Sequence, residues 1–327
     1  MSVVTITQIT PPAGTSGRVV AIANDGTAAL TYTNSTTHPA RYVPGAGASA
    51  IPLPAGCDTG SPTDISDDGS VVCGSAFDSG DAFNTAVAWR WTSLGGTVVL
   101  SSAVAATPYS TAGMSADGSV IVGRFGADSF IWNALDGVVL LDLLGPLGAD
   151  NAIVAGVSGD GLVVVGYYIE TGTGDTIAFK WTDAGGAVPL DQPVGSAESY
   201  AYNASTDGSL IIGESWPGDT VGFAYRWDEG TPSEVVGSES TAFDFSEDGS
   251  VVSGFVVISS AQRAYVVSNG SAYSRLPELA AATKSNGLSV SANGAYIGGY
   301  CRTSGTDKPC YWLLGPFWTD FINCAEA

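Results

Sequence analysis

Carboxylates dominate the groups in this chain that could do chemistry. Asp and Glu number 32 against 11 Lys and Arg, with a single histidine and five cysteines. Nucleophilic catalysis of the Ser-His-Asp or Cys-His kind needs an imidazole beside the nucleophile. The one histidine, His38, lies in Thr36-Thr37-His38-Pro39, which reads as a loop. Glycoside hydrolysis instead needs two opposed carboxylates. The acids that could serve are those outside the repeated turns: Asp78 and Asp81 in the segment 75–85, Glu170 and Asp175 in a second segment, and Glu214 and Asp219 in Glu214-Ser215-Trp216-Pro217-Gly218-Asp219. Trp216 stands apart from the chain's recurring aromatic positions. Exposed, it could stack on a sugar; folded onto the edge of its own strands beside Pro217, it would only pack. These seven residues are the expected ligand-binding set, with no catalytic residue assigned.

Metal and cofactor chemistry finds less support. The densest acidic phrase, Asp64-Ile65-Ser66-Asp67-Asp68-Gly69, lacks the downstream Glu spacing of an EF-hand. Asp before Gly is explained by local hydrogen bonding in a turn. Glycine pairs such as Gly95-Gly96 and Gly185-Gly186 fall in strand turns, not ahead of helices, so no phosphate loop is expected. The cysteines Cys57, Cys73, Cys301, Cys310 and Cys324 match no zinc spacing. Cys301 and Cys310 flank Ser304-Gly305 and could face each other across a hairpin, although small buried apolar residues are the preferred reading. The odd count leaves Cys324 as the candidate for an intermolecular disulfide. The expectation is therefore no metal and no cofactor.

The elements that must position these residues come from an internal repeat. Ser-x-Asp-Gly followed by a β-branched run recurs around Gly69, Gly118, Gly161, Gly208 and Gly249, with variants at Gly26 and Gly294. That is seven copies of a unit of about 45 residues, a propeller-blade period. Asp-Gly between β-formers predicts a two-residue hairpin with positive φ at both positions. A third strand carries Ala88-Trp89-Arg90-Trp91, Ser129-Phe130-Ile131-Trp132, Ala178-Phe179-Lys180-Trp181, Ala224-Tyr225-Arg226-Trp227, Ala264-Tyr265-Val266 and Cys310-Tyr311-Trp312. A short fourth strand follows a Gly turn, as in Thr97-Val98-Val99-Leu100. The aromatics are expected to fill gaps between units. Arg41, Arg90, Lys180 and Arg226 beside them are expected to pair with turn aspartates of a neighbouring unit.

The fold class predicted is all-β: one seven-bladed β-propeller of four-stranded antiparallel blades. Residues 1–10 supply a strand that closes the last blade, residues 11–314 the seven repeats, and residues 315–327 a C-terminal tail. In such a meander the longer and more variable connections, between strands two and three and between blades, share one face, where binding residues collect.

Composition limits the partners. Hydrophobic residues are 45%, charged residues 13%, and 43 glycines stand without long helix-forming runs, so a helical bundle is excluded. A net charge of -21 repels phosphate backbones and anionic lipid, so neither nucleic acid nor membrane is expected as a partner. No apolar stretch is long enough for a membrane-spanning helix. Residues 1–10 have no basic residue and no apolar core of a secretory signal.

The phrase Ser-x-Asp-Gly-Ser-Val-Val-Val-Gly followed by Ala-aromatic-Arg-Trp resembles the bacterial extracellular repeats of the HAF family, over about residues 18–314. Such repeats occur in autotransporters and in other surface or virion-associated propeller proteins. The resemblance implies a surface-facing propeller and carries no catalytic residue onto this chain. The sequence departs from the family in lacking a signal peptide and an autotransporter barrel region. It is also similar to the Asp-box of sialidases, except that the box has a residue between Asp and Gly and this phrase has none. The function expected is that of a non-enzymatic virion structural or adhesion protein of a bacteriophage, a decoration, collar or fibre-associated module. Its partners would be other virion proteins or a host-surface glycan or protein, with a homo-oligomer as a further expectation. The alternatives are a bacterial cell-surface binding module, extracellular and exported without a visible signal, and a carbohydrate-active propeller enzyme.

Overall fold

The computed structural model describes residues 4–14, 16–80, 86–100, 110–126, 128–217, 222–237, 239–268 and 272–315. After a short strand β1 (Thr5–Gln8), the first unit is β2 (Ser16–Ile22), β3 (Ala28–Thr33), β4 (Thr37–Val43) and β5 (Gly47–Ala50). The second is β6 (Thr59–Ile65), β7 (Val71–Phe77), β8 (Val87–Thr92) and β9 (Gly96–Val99). The third is β10 (Ser110–Met114), β11 (Val120–Phe125), β12 (Asp128–Asn133) and β13 (Gly137–Leu141). A one-turn helix, α1 (Leu144–Leu147), precedes the fourth, β14 (Ala149–Val157), β15 (Val163–Glu170), β16 (Thr176–Thr182) and β17 (Gly186–Pro189). Then come β18 (Ser196–Ala204), β19 (Leu210–Pro217), β20 (Phe223–Asp228) and β21 (Thr231–Glu234). The sixth unit is β22 (Ser240–Phe245), β23 (Val251–Ile258), β24 (Ala261–Ser268) and β25 (Ser274–Arg275). The last strands are β26 (Ala282–Val290), β27 (Tyr296–Thr303) and β28 (Thr306–Leu313). No helix among the described residues is long and apolar enough to cross a membrane.

Each unit pairs in chain order as an antiparallel meander. The fourth and fifth units are joined into one larger sheet by a single parallel bridge, Thr176 to Glu198. The last sheet runs β1-β28-β27-β26, so the chain's first strand is its fourth member. Thr5, Ile6, Thr7 and Gln8 stand opposite Leu313, Trp312, Tyr311 and Cys310. Ile9 follows, 1% exposed, and its N–H donates to the Pro309 carbonyl at 2.8 Å.

The repeated phrase has a local physical cause, and it is not the two-residue turn expected. Only the glycine takes positive φ, for example Gly69 at 68° and Gly118 at 71°, while the preceding Asp does not. The turn spans four residues, with the Gly69 N–H donating to the Ser66 carbonyl at 2.8 Å. The Ser66 hydroxyl donates to Asp68 Oδ1 at 2.7 Å and accepts the Val71 N–H at 3.0 Å. Asp68 Oδ1 also accepts the Ser70 N–H at 2.9 Å. The same Ser and Asp pairing recurs at Ser115/Asp117, Ser158/Asp160, Ser205/Asp207 and Ser246/Asp248, and with Asn293 at Ser291. Serine is thus specified because it must donate and accept at once in a buried position.

The glycine ending each Val/Ile run is equally specified. Gly74, Gly123, Gly166 and Gly254 stand opposite Trp89, Phe130, Phe179 and Tyr265 on the neighbouring strand. A Cβ at Gly74 or Gly123 would run into the ring across from it. Those four aromatics are fully buried, each stabilising by roughly 1.5–3 kcal/mol. Trp227 is buried among Val165, Ala178 and Leu190 of the preceding unit as well as Ala201 and Ile211 of its own. The aromatics do fill gaps between units. Three of the basic residues beside them do not pair with a turn aspartate of a neighbouring unit as expected. Arg41 Nε and Arg90 Nε donate to the turn carbonyls of Gly69 and Gly118 at 2.8 and 3.2 Å, and Arg226 pairs with Asp228 of its own strand at 3.3 Å. An αL glycine turns its carbonyl toward the neighbouring strand, whereas the Asp carboxylate is already held inside the turn.

Candidate functional site

The first strand of every unit carries a β-bulge, with register shifts at Val19/Ala21, Pro62/Asp64, Thr111/Gly113, Val154/Gly156, Ala201/Asn203, Ala242/Asp244 and Gly287/Ser289. A bulge re-aims the side chains next to it. Residues from all seven of these strands line one cavity of about 300 Å³, including Thr63, Asp64, Tyr202, Asn203, Asp244 and Ser289.

Two carboxylates face this cavity. Asp64 accepts the N–H of Ile65 at 2.8 Å and, across to the next unit, the N–H of Met114 at 3.0 Å. Asp244 accepts from Phe245 at 2.9 Å, from Val290 of the next unit at 2.7 Å and from Asn203 Nδ2 of the preceding unit at 2.7 Å. Ser289 Oγ completes the pattern by accepting the Ile22 N–H at 3.1 Å. These side chains tie first strands of adjacent units together where no sheet ladder joins them. Burial pushes the Asp64 carboxyl up to about 7, reinforced by the charge of Asp244, against the pull of its two N–H donors. Burial pushes Asp244 up to about 6, again opposed by its donors. Both residues keep a little accessible surface toward the cavity, so dehydration is incomplete.

A second cluster lies nearer the starts of the first strands, on units four to six. Tyr167 meets Tyr200 edge-on with centroids 4.9 Å apart, and Tyr200 stacks on Tyr202 at 6.4 Å. The run therefore leads from β15 to the cavity wall. Tyr200 donates to Glu198 Oε2 at 2.8 Å. Its phenol is pushed up to about 12 by burial and by that carboxylate. Glu214 is held by Trp216 Nε1 at 3.0 Å and by Thr241 Oγ1 of the next unit at 2.7 Å. Burial and Glu214 together raise the Tyr202 phenol. Across the cavity, Arg18 lies 4.5 Å from the Tyr300 ring centroid and Lys284 Nζ 5.8 Å from it. Asp307 bridges Arg18 and Arg302, each at 2.6 Å. One side of this face is thus acidic and aromatic, the other basic.

The residues expected from sequence separate into three groups. Glu214 and Trp216 are brought together, but inside β19 and not in a loop, with the indole N–H turned onto the carboxylate. Trp216 is half-buried. Asp78 and Glu170 close their own turns, Asp78 Oδ1 accepting the Gly80 N–H at 2.9 Å and Glu170 Oε2 the Thr173 hydroxyl at 2.8 Å. Asp175 is exposed beside the latter turn. Asp81, Asp219 and Cys324 lie outside the described residues. Tyr167, Tyr200, Tyr202 and Asp244 were not singled out from sequence. The signal available was Tyr202, which brings a phenol hydroxyl to a bulge position where other units carry Val20, Thr63, Ala112, Ala155, Phe243 or Leu288. Among the described residues, no group of three or more His, Cys, Asp or Glu is placed to hold a metal ion.

No family model matches the chain and no curated protein matches it. Solved structures do. The β-propeller domain of the Trilobed protease from Pyrococcus furiosus, described as having an open velcro topology, superposes with a TM-score of 0.60 at 12% identity over 92% of this chain and 94% of that one. TolB from Acinetobacter baumannii gives a TM-score of 0.50 at 13% identity, covering 78% of this chain. This chain spans 61% of that TolB chain. At such identities the likeness reports architecture alone, and with the meandering four-stranded sheets it establishes a β-propeller fold.

Proposed function

We propose that the chain is a closed seven-bladed propeller that acts by binding, as a virion structural or adhesion protein that holds a host-surface glycan. Two features support seven blades closed by the N-terminal strand: one cavity lined by seven first strands, and β1 pairing with β28. The open velcro described for the archaeal propeller domain differs on this point. The observation that carries the binding reading is the tyrosine run beside Glu198 and Glu214, ending at the cavity. Aromatic faces stack on the C–H faces of sugars, and fixed carboxylates accept sugar hydroxyls. The non-enzymatic reading rests on the roles of the carboxylates. Asp64 and Asp244 bind adjacent units together, and Glu214 is held by the neutral donors Trp216 and Thr241, so each has a structural task. The virion setting rests on the family resemblance of the repeat.

The test is glycan-array binding by the full chain, paired with quantification in density-purified particles and in the cell-envelope fraction of the same culture. Binding is expected, with loss in Tyr200→Ala at an unchanged melting temperature, and with enrichment in particles. Unchanged binding by Tyr200→Ala overturns the site. Enrichment in the envelope alone transfers the reading to a bacterial surface module, and released sugar product transfers it to an enzyme.

A further inference from the structure

Cys301 and Cys310 sit on neighbouring strands of the sheet in which the two ends of the chain meet. Both are fully buried free thiols, and their sulfurs are 3.9 Å apart. Cys310 stands opposite Gly299, and Cys301 opposite Lys308, so the pair is diagonal across the β27–β28 ladder on one face. Gly299 has no side chain to occupy the space beside Cys310. A covalent S–S bond is about 2.05 Å long, so closing it takes about 2 Å of sulfur movement, within the range of side-chain rotation. Cys310 S–H already points at Cys301.

We infer that Cys301 and Cys310 are a disulfide-forming pair that staples β27 to β28, the strand on which β1 docks. The oxidant is an external low-molecular-weight disulfide. Cys301 as thiolate attacks one sulfur of that disulfide, forming a mixed disulfide and releasing one small thiolate. Cys310, giving up its proton, then attacks Cys301 Sγ and expels the second small thiolate. Two protein thiols are oxidised to one disulfide, the reagent is reduced to two thiols, and the two protons end on the released thiolates. The hydrogen bond from Cys310 lowers the Cys301 thiol below its ordinary value, which favours Cys301 as the attacker. Val4 and Ile6 of the N-terminal segment and Leu279 pack on the same core, so exchange takes place while these segments are off the pair, during folding or in local opening of the folded chain.

Gln8 of β1 pairs with Cys310, and Ile6 with Trp312. A staple at Cys310 therefore fixes the register of the strand that receives the N-terminus. The redox state then sets how firmly the propeller is closed. This holds whatever the ligand or location of the protein, because it depends on the sheet and not on the tyrosine face.

The test uses the full chain, purified under reductant and incubated with oxidised glutathione in two ways: refolded from urea, and held at a sub-denaturing urea concentration without prior unfolding. Remaining thiols are alkylated, and peptides are analysed by mass spectrometry without reduction. A peptide pair joined through Cys301 and Cys310 is expected, with loss of two alkylatable thiols and a higher urea midpoint for the oxidised chain. Cys301→Ser and Cys310→Ser should each abolish the link and the midpoint shift. Recovery of both residues fully alkylated in the sub-denaturing arm overturns the inference whether or not refolding succeeds. So does a link from either residue to Cys57, Cys73 or Cys324.

Discussion

The two cavity-facing aspartates predict an unusual pH dependence of stability. Asp64 is raised from 3.8 to about 7 and Asp244 from 3.8 to about 6. A raised folded pKa means that the native state binds more protons than the unfolded chain between the two values, so stability falls as pH rises through that window. One unit corresponds to 1.36 kcal/mol, so full ionisation of Asp64 costs about 4 kcal/mol relative to the protonated fold. The donors Ile65 and Met114 already act within that value, and solvent access through the cavity lowers the cost further. The turn aspartates act in the opposite sense. Asp68, Asp117 and Asp248 are lowered, mainly by Ser and N–H donors at Asp68 and Asp117 and against a burial penalty at Asp248. Their contribution is present above the unfolded value and lost as pH falls through the lower folded value. The sum places maximum stability near the unfolded carboxylate value, about pH 4, with a decline that runs to about pH 7. Urea unfolding followed by tryptophan fluorescence at pH 5, 6.5 and 8 measures it. In Asp64→Asn/Asp244→Asn the decline should flatten, while the midpoint at pH 5 falls because an amide cannot accept at both ends. A wild-type midpoint that rises from pH 5 to 8, or a decline retained in the double variant, refutes the reasoning.

Other outcomes follow from single contacts. Removing residues 1–10 exposes the β28 edge and deletes Ile9, whose burial alone is worth roughly 1.5–3 kcal/mol; a lower urea midpoint and concentration-dependent association in light scattering are expected. Trp227→Ala should cost about 3–5 kcal/mol in urea melts, because the ring fills the gap between units four and five and its Nε1 donates to the Asp191 carbonyl at 2.8 Å. Ser115→Ala should cost about 1–3 kcal/mol, by stripping the Val120 N–H and Asp117 of a shared partner. Arg18→Met should lower the thermal midpoint modestly at low salt, with the loss shrinking as salt is added, because half-exposed Arg18 joins the first unit to Asp307 of the last.

What was legible in the sequence, and what was not, follows from how each contact is encoded. The four-strand unit was readable because its determinants recur: a serine that must donate and accept, a glycine in αL, and a small residue opposite each ring. The exact turn was misread because Asp-Gly serves two turns, and only the buried serine two positions earlier selects the longer one. The joins between units were partly hidden. Asp67 N–H donates to the Ala116 carbonyl at 2.8 Å, and Ala116 N–H to Gly159 at 2.9 Å, backbone contacts that leave no side-chain signature. Asp64 and Asp244 were hidden differently, because the bulge positions they follow become visible only once the register is known.

The candidate site lies where the repeat is broken, and that has a physical reason. Residues fixed in every unit are fixed by packing shared by every unit, so they cannot distinguish one side of the cavity from another. Arg18 and Tyr200 occupy the same place in their strands, each one residue before the bulge pair. In the first unit this place holds a cation over Tyr300, and in the fifth a phenol donating to Glu198. Such replacements are tolerated because the side chains lie above the bulge, outside the layers that need Val, Ile and Gly. A pseudo-symmetric scaffold thereby acquires a polar axis across one face, acidic and aromatic toward units four to six, basic toward units seven and one. A ligand bound across the cavity would be oriented by that axis. Exchanging Arg18 and Tyr200 in one variant should therefore weaken binding far more than it weakens the fold, since neither change touches the packed layers. Thermal melts and array binding of the same sample measure both quantities, and a proportional loss in the two would mean that the asymmetry is structural and recognises nothing.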